Sequence, residues 1–262
     1  MYSVFFILRF CYNKNVSKNK PRKTSKSYRK PKIAETISIV THQLKSPLSV
    51  IKSYLEALIS GDCGEVNSLQ REYLSDALEN VERMKRNIDD LLIIQRVEEG
   101  KLKIERNPVS LDKITSDVLK NFFYWAKASN CQIFFKKSKK LPLVLGDPQA
   151  IRGVIENLVA NAIKYTQEKG KIVISIVPSK TNEKIIFSCK DNGIGIPEKD
   201  FKKIFTKFYR SDRAMELDPL GAGLGLYINK AIVTLCGGEI WFSRNKDAGM
   251  TFYFSLPVAK PR

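Results

Sequence analysis

The sequence predicts an α+β fold: a helical hairpin, paired with a second copy as a dimeric four-helix bundle, followed by a two-layer α/β sandwich. Two changes of pattern carry this reading. Residues 34–99 are almost free of glycine outside GDCGEVN (61–67), and their apolar residues recur every three or four positions. From 108 to 258, strand-length apolar runs interleave with helical periodicity, as when helices lie on one face of a largely antiparallel sheet. The expected division is a stub and basic linker at 1–33, a hairpin at 34–103 and a sandwich at 108–258.

Taken in order, MYSVFFILRFCY (1–12) is mostly apolar but interrupted by Arg9. It is shorter than the ~20 residues needed to cross a bilayer. KNKPRKTSKSYRKPK (18–32) follows. Residues 1–34 hold ten Lys/Arg and no acid, so only +8 of the +18 net charge belongs to the rest of the chain. A run of this kind is expected as a solvated linker, and an apolar stub ahead of it also fits the inner face of a membrane. Residues 1–32 are thus the expected membrane contact of an otherwise cytoplasmic chain, and nucleic acid is not an expected partner. Five cysteines (Cys11, Cys63, Cys131, Cys189, Cys236) form no CxxC pair and share the chain with one histidine. That excludes a Cys/His metal cluster and reads as reduced thiols.

In the hairpin, one stripe runs through Val40, Leu44, Leu48, Ile51, Leu55 and Leu58, and a second through Leu74, Ala77, Val81, Met84, Ile88 and Leu91. Two helices alone cannot close a core over stripes this wide, which is why a second copy is expected. The single histidine, His42, stands in SIVTHQLKSPL (38–48). Pro47 lacks the N–H that the Gln43 carbonyl would accept, so the helix is expected to bend or loosen there.

Strands are expected at 131–135, 171–177, 183–191, 239–243 and 251–256, and helices at 111–126, 148–166 and 224–236. The 148–166 helix opens on Asp147 as N-cap and Pro148 at its first position. Asn157, Asn161 and Lys164 fall together beside its apolar stripe, facing either a ligand or water. In DNGIGIP (191–197), Asp191 ends the more apolar face of a strand. A carboxylate there needs a donor such as the adenine amine, or belongs to an ordinary turn. GAGLGL (221–226) frees the backbone around an anion at a helix N-terminus. It does not follow a strand, so a dinucleotide-binding fingerprint is excluded.

In succession, SIVTHQLKSPLSVI, NLVANAIKYT, DNGIGIP, KIFTKFYRSD and GAGLGLYI resemble the H, N, G1, F and G2 boxes of sensor histidine kinases. The resemblance runs from about 34 to 258. It implies a dimerisation and phosphoacceptor hairpin followed by a Bergerat-type ATP-binding domain, shared with gyrase and Hsp90. It implies ATP and Mg²⁺ as cofactors, with Asn161 as metal ligand and Asn157 supporting it. Lys164 and Tyr165 would contact nucleotide, Asp191 the adenine amine, and Gly193 and Gly195 the ring. Phe205, Phe208 and Arg210 lie in the F box before a mobile lid at about 211–220, and Gly221, Gly223 and Gly225 would close around the triphosphate.

By the same resemblance His42 is the phosphoacceptor. The expected function is ATP-dependent autophosphorylation on His42, then transfer to an aspartate in the receiver domain of a separate response regulator. Two positions depart from the family pattern: Gln43 replaces the usual acid after the histidine, and Ser46 stands where Thr or Asn commonly positions water. At Asn157 the gyrase-like hydrolases carry a glutamate that activates water, and an amide cannot take that proton. The rival readings are a Bergerat-type ATPase and a degenerate ATP-binding module. Thirty-three N-terminal residues are too few for a sensor, so the input signal is expected to come from a partner, the membrane or a missing segment.

Overall fold

The computed structural model describes residues 33–166 and 169–260, with the side chains of 33–39 and 42 outside that description. The apolar stub and basic linker also lie outside it. Two long helices come first, α1 (Ile33–Ser60) and α2 (Ser68–Glu98). Helix α1 stays helical through Pro47, so the proline does not end it. The turn between them hands over to α2 through a reciprocal cap. Asn67 Oδ1 accepts from the Gln70 amide at 2.8 Å, and Gln70 Oε1 accepts from the Asn67 amide at 2.9 Å. Ion pairs fix the antiparallel register: Lys45 with Asp89, and Lys52 with Glu82 at 2.9 Å. In the single chain, Val40, Leu44, Ile51 and Met84 stay about half exposed, so the hairpin covers only part of its apolar stripes.

The rest is a two-layer sandwich. A short pair joins β1 (Asn107–Val109) to β3 (Val144–Gly146), and a five-stranded sheet runs β2-β4-β5-β7-β6. Its strands are β2 (Cys131–Lys137), β4 (Gly170–Pro178), β5 (Lys184–Lys190), β6 (Glu239–Arg244) and β7 (Met250–Pro257). Only β2 and β4 pair in parallel; the other neighbours are antiparallel. Helices α3 (Leu111–Ala128), α4 (Pro148–Tyr165) and α6 (Gly225–Leu235) cover one face, and a short α5 (Asp212–Leu217) lies outside them.

Alternation along the strands decides what the sheet buries. Ile172, Ile174 and Ile176 of β4 and Ile185, Phe187 and Cys189 of β5 point at the helices and are shut off from solvent. Phe187 stacks on Phe254 of β7 with ring centroids 4.7 Å apart. Opposite them lie Ile151, Val154, Ile155 and Leu158, the apolar stripe of α4. Burying that stripe turns the polar side of α4, which carries Asn157, Asn161 and Lys164, toward α6 and the segment that follows α5. Asp147 starts α4 by accepting from the Gln149 and Ala150 amides at 2.9 and 3.0 Å.

Candidate functional site

A cavity of about 990 Å³ opens beside α4, within the range of small-molecule sites. Its wall includes Asn157, Asn161, Lys164, Tyr165, Asp191, Gly195, Arg210, Gly221, Gly223 and Gly225. Residues separated by as many as 68 positions in the sequence thus share one space. The hairpin contributes as well, through Arg83, Arg86, Asp90 and Ile93 of α2.

One asparagine organises the floor. Asn157 Oδ1 accepts from Asn229 Nδ2 at 3.0 Å and from Asn161 Nδ2 at 3.3 Å. Asn229 is 2% exposed, a polar side chain on the buried face of α6 beside Ile228, Ile232 and Val233. The sequence reading did not single it out, although an asparagine inside an apolar helical stripe was a usable signal. Gly225 lets α6 approach this cluster, since a Cβ there would meet Asn157 Nδ2 at 2.2 Å.

At the other end, Asp191 is 7% exposed. Its Oδ1 accepts from the Gly193 and Met250 amides at 3.0 and 3.1 Å. Burial raises its carboxyl above the ordinary value, and those two amides pull it back down. Oδ1 is spent on the protein, and Asp191 itself lies on the cavity wall. Gly249, also absent from the sequence reading, makes room for this arrangement: a Cβ there would lie 2.5 Å from Asp191 Oδ1.

The lid segment is structured around Arg210, which donates to the carbonyls of Ala214 at 2.6 Å, Gly221 at 2.9 Å and Asp218. Lys164 Nζ donates to Asp218 Oδ2 at 2.7 Å. Burial pushes the Asp218 carboxyl up, but the ammonium of Lys164 and the guanidinium of Arg210 hold it below its ordinary value.

Other expected residues lie elsewhere. Gly193 packs against the Tyr165 carbonyl, 2.3 Å from where a Cβ would sit. Phe205 meets Phe242 of β6 at 6.0 Å, and Phe208 is exposed with φ of 61°. Neither phenylalanine is on the cavity wall. Gln43 and Ser46 are exposed on α1, and the His42 side chain lies outside the description.

The oxygen donors bear on Mg²⁺. Because Asn161 gives its Nδ2 to Asn157, its Oδ1 is left as a hard oxygen at the cavity edge. No cluster of three or more His, Cys, Asp or Glu suited to a metal exists among the described residues. The residues therefore fit Mg²⁺ only together with phosphate oxygens, the usual manner of holding this ion.

Fold and cavity define a Bergerat-type nucleotide-binding sandwich attached to a helical hairpin. Comparison with known families carries this further. Residues 146–260 match the histidine kinase-, DNA gyrase B- and HSP90-like ATPase family, and residues 32–100 match the His Kinase A (phospho-acceptor) domain. The chain belongs to the sensor histidine kinases. It is 33% identical over 223 residues to sensor histidine kinase WalK of Bacillus subtilis, covering 85% of this chain and 36% of WalK. It is 28% identical to the circadian input-output histidine kinase CikA of Synechococcus elongatus, over 85% of this chain and 30% of CikA. The chain thus spans about a third of the length of these relatives. Among solved structures, full-length ShkA in complex with AMPPNP shares the fold with a TM-score of 0.71 at 22% identity, over 87% of this chain and 47% of that one. The catalytic domain of histidine kinase ThkA aligns at a TM-score of 0.52 and 28% identity, over 61% of this chain and 100% of that one.

Proposed function

We propose that this chain transfers the γ-phosphoryl group of ATP to His42 and then passes it to an aspartate of a response regulator receiver domain. One observation carries the reading: helix α2 of the phosphoacceptor hairpin and the elements of the ATP-binding family share the wall of a single cavity. The Lys45–Asp89 and Lys52–Glu82 pairs set position 42 of α1 level with the 90–93 stretch of α2, which lines that cavity.

The floor favours transfer over hydrolysis. Asn157 is an amide fixed by two donors, so it cannot deprotonate a water molecule. A neutral ring nitrogen of His42 instead attacks the γ-phosphorus as the bond to the bridging oxygen breaks and ADP leaves. The remaining ring N–H gives up its proton to water, since Gln43 is not a base. Asp191 Oδ2 accepts the adenine amine, and Lys164 and Arg210 face the phosphates. Asn161 Oδ1 would supply one ligand to Mg²⁺, which when bound would neutralise charge on the phosphate oxygens.

A second copy covers the exposed hairpin seam at Val40, Leu44, Ile51 and Met84, giving the four-helix bundle. No described helix is long and apolar enough to cross a membrane, and contact of residues 1–32 with a membrane surface remains part of the proposal.

Acid-labile labelling from γ-labelled ATP tests the reading. The wild type should take up label, and His42→Gln should lose it while still binding nucleotide. Label that persists in His42→Gln contradicts the assignment.

A further inference from the structure

Among the described residues, four cations stand on the cavity wall, Arg83, Arg86, Lys164 and Arg210, and the last two are already held by one carboxylate. Asp218 Oδ2 lies 2.7 Å from Lys164 Nζ and 3.6 Å from Arg210 Nη2. The Asp218 backbone carbonyl takes a further Arg210 hydrogen bond. The contact is a sheltered one, since the side chains of Asp218 and Arg210 are 17% and 10% exposed. It is also tightly fitted, because a Cβ at Gly221 would lie 2.5 Å from Asp218 Oδ2 and 3.0 Å from Arg210 Cζ. Lys164 projects from α4 three residues beyond Asn161, whereas Asp218 comes from the far end of the lid, just after α5. The carboxylate therefore joins the lid to the floor of the cavity through the two cations nearest to it.

From this geometry we infer that Asp218 is an internal competitor for the phosphate position: a lid carboxylate that holds Lys164 and Arg210 until a polyphosphate replaces it. The inference rests on the ATP-binding reading above and adds a residue that sets nucleotide affinity and selectivity. A carboxylate carries a single charge, and the triphosphate of ATP carries several, so ATP can displace it where a weakly charged or uncharged ligand cannot. Displacement also releases the lid from Lys164, so binding and lid movement are coupled through one ion pair. Adenosine has no phosphate to compete with and leaves the Asp218 contacts in place.

Isothermal titration of the full chain with ATP and, separately, with adenosine tests this. Asp218→Asn keeps the shape of the side chain and removes its charge. Its ATP Kd should fall about fivefold, the scale of a partly exposed ion pair, with the adenosine Kd unchanged. In a Lys164→Met background the same substitution should give a smaller gain, because only the Arg210 contact with Asp218 remains to be relieved; a gain as large as in the wild-type background would remove Lys164 from the inference. An ATP Kd that stays the same or rises in Asp218→Asn overturns the inference, because Asp218 would then support nucleotide binding. An equal gain for ATP and adenosine also overturns it, since the effect would lie in lid opening and not in charge. Failure of the wild type to bind ATP is a separate result, and it overturns the nucleotide reading on which the inference stands.

Discussion

Replacing Gly225 with alanine sets two effects of known size against each other. Gly225 is the first residue of α6, and alanine in a helix is favoured over glycine by at most ~1 kcal/mol. Against this, the added methyl would lie 2.2 Å from Asn157 Nδ2, 2.9 Å from its Cγ and 3.0 Å from Oδ1. Reaching ordinary contact requires a shift of more than an ångström. Helix α6 resists it, because Ile228, Ile232 and Val233 are buried in the core. The Asn157 side chain resists it too, because turning away breaks its bonds with Asn229 and Asn161. Overpacking of this kind costs about 1–3 kcal/mol, and each lost hydrogen bond about 1 kcal/mol more. The clash wins. With both hydrogen bonds lost the net cost is about 2–4 kcal/mol, so Gly225→Ala should lower Tm by roughly 4–16 °C in a calorimetric scan, at about 2–4 °C per kcal/mol for a chain of this size. It should also weaken ATP binding by about tenfold, one hydrogen-bonded contact's worth in the site. A variant as stable as the wild type and with undiminished ATP affinity would refute the view that Gly225 is required by Asn157.

Asp191→Asn keeps the oxygen that accepts from Gly193 and Met250 but puts an amino group where Oδ2 stood. Its melting should stay close to wild type while ATP affinity falls about 10–100-fold, as measured by titration. Phe187→Ala removes a fully buried ring stacked on Phe254, and urea unfolding should register a loss of about 3–5 kcal/mol. Asp90 supplies a pH test. Burial, and then the charge of Asp89, push its carboxyl up to about 6 against the pull of Arg86. The folded state therefore holds this proton where the unfolded chain has already released it, and stability falls as pH rises from about 4 to about 6. Two pKa units correspond to at most ~3 kcal/mol, reduced to about 1–2 kcal/mol for a partly solvated group. Asp90→Asn should remove that fall, and a stability–pH curve identical to wild type would contradict it.

The long elements were legible because each obeys one strong rule. Three- and four-residue spacing marked the hairpin, and period-two alternation marked β4 and β5. Strands β1 and β3 escaped notice because three residues are too few to show a period, and their pairing depends on contacts with distant segments. Helix α5 is six residues cut from a polar stretch, and Arg210 holds its C-terminal end by bonds the sequence does not advertise. In the site, residues with local chemistry stood out: Asp191 at a strand end and the glycines of 221–225. Asn229, Asp218 and Gly249 did not, since each acts through a partner at least 54 residues away, respectively Asn157, Lys164 and Asp191. Phe205 and Phe208 entered through family resemblance alone, and their packing against β6 and exposure to solvent are set by tertiary structure.

Product accounting in a single turnover bears on all of this. With wild-type chain in excess over γ-labelled ATP and Mg²⁺, each ADP formed should be matched by one acid-labile phosphoryl group on the protein, with no early release of inorganic phosphate. Free phosphate appearing in step with ADP, on a protein that carries no label, would mean that Asn157 does not protect the nucleotide from water and that His42 is not its acceptor.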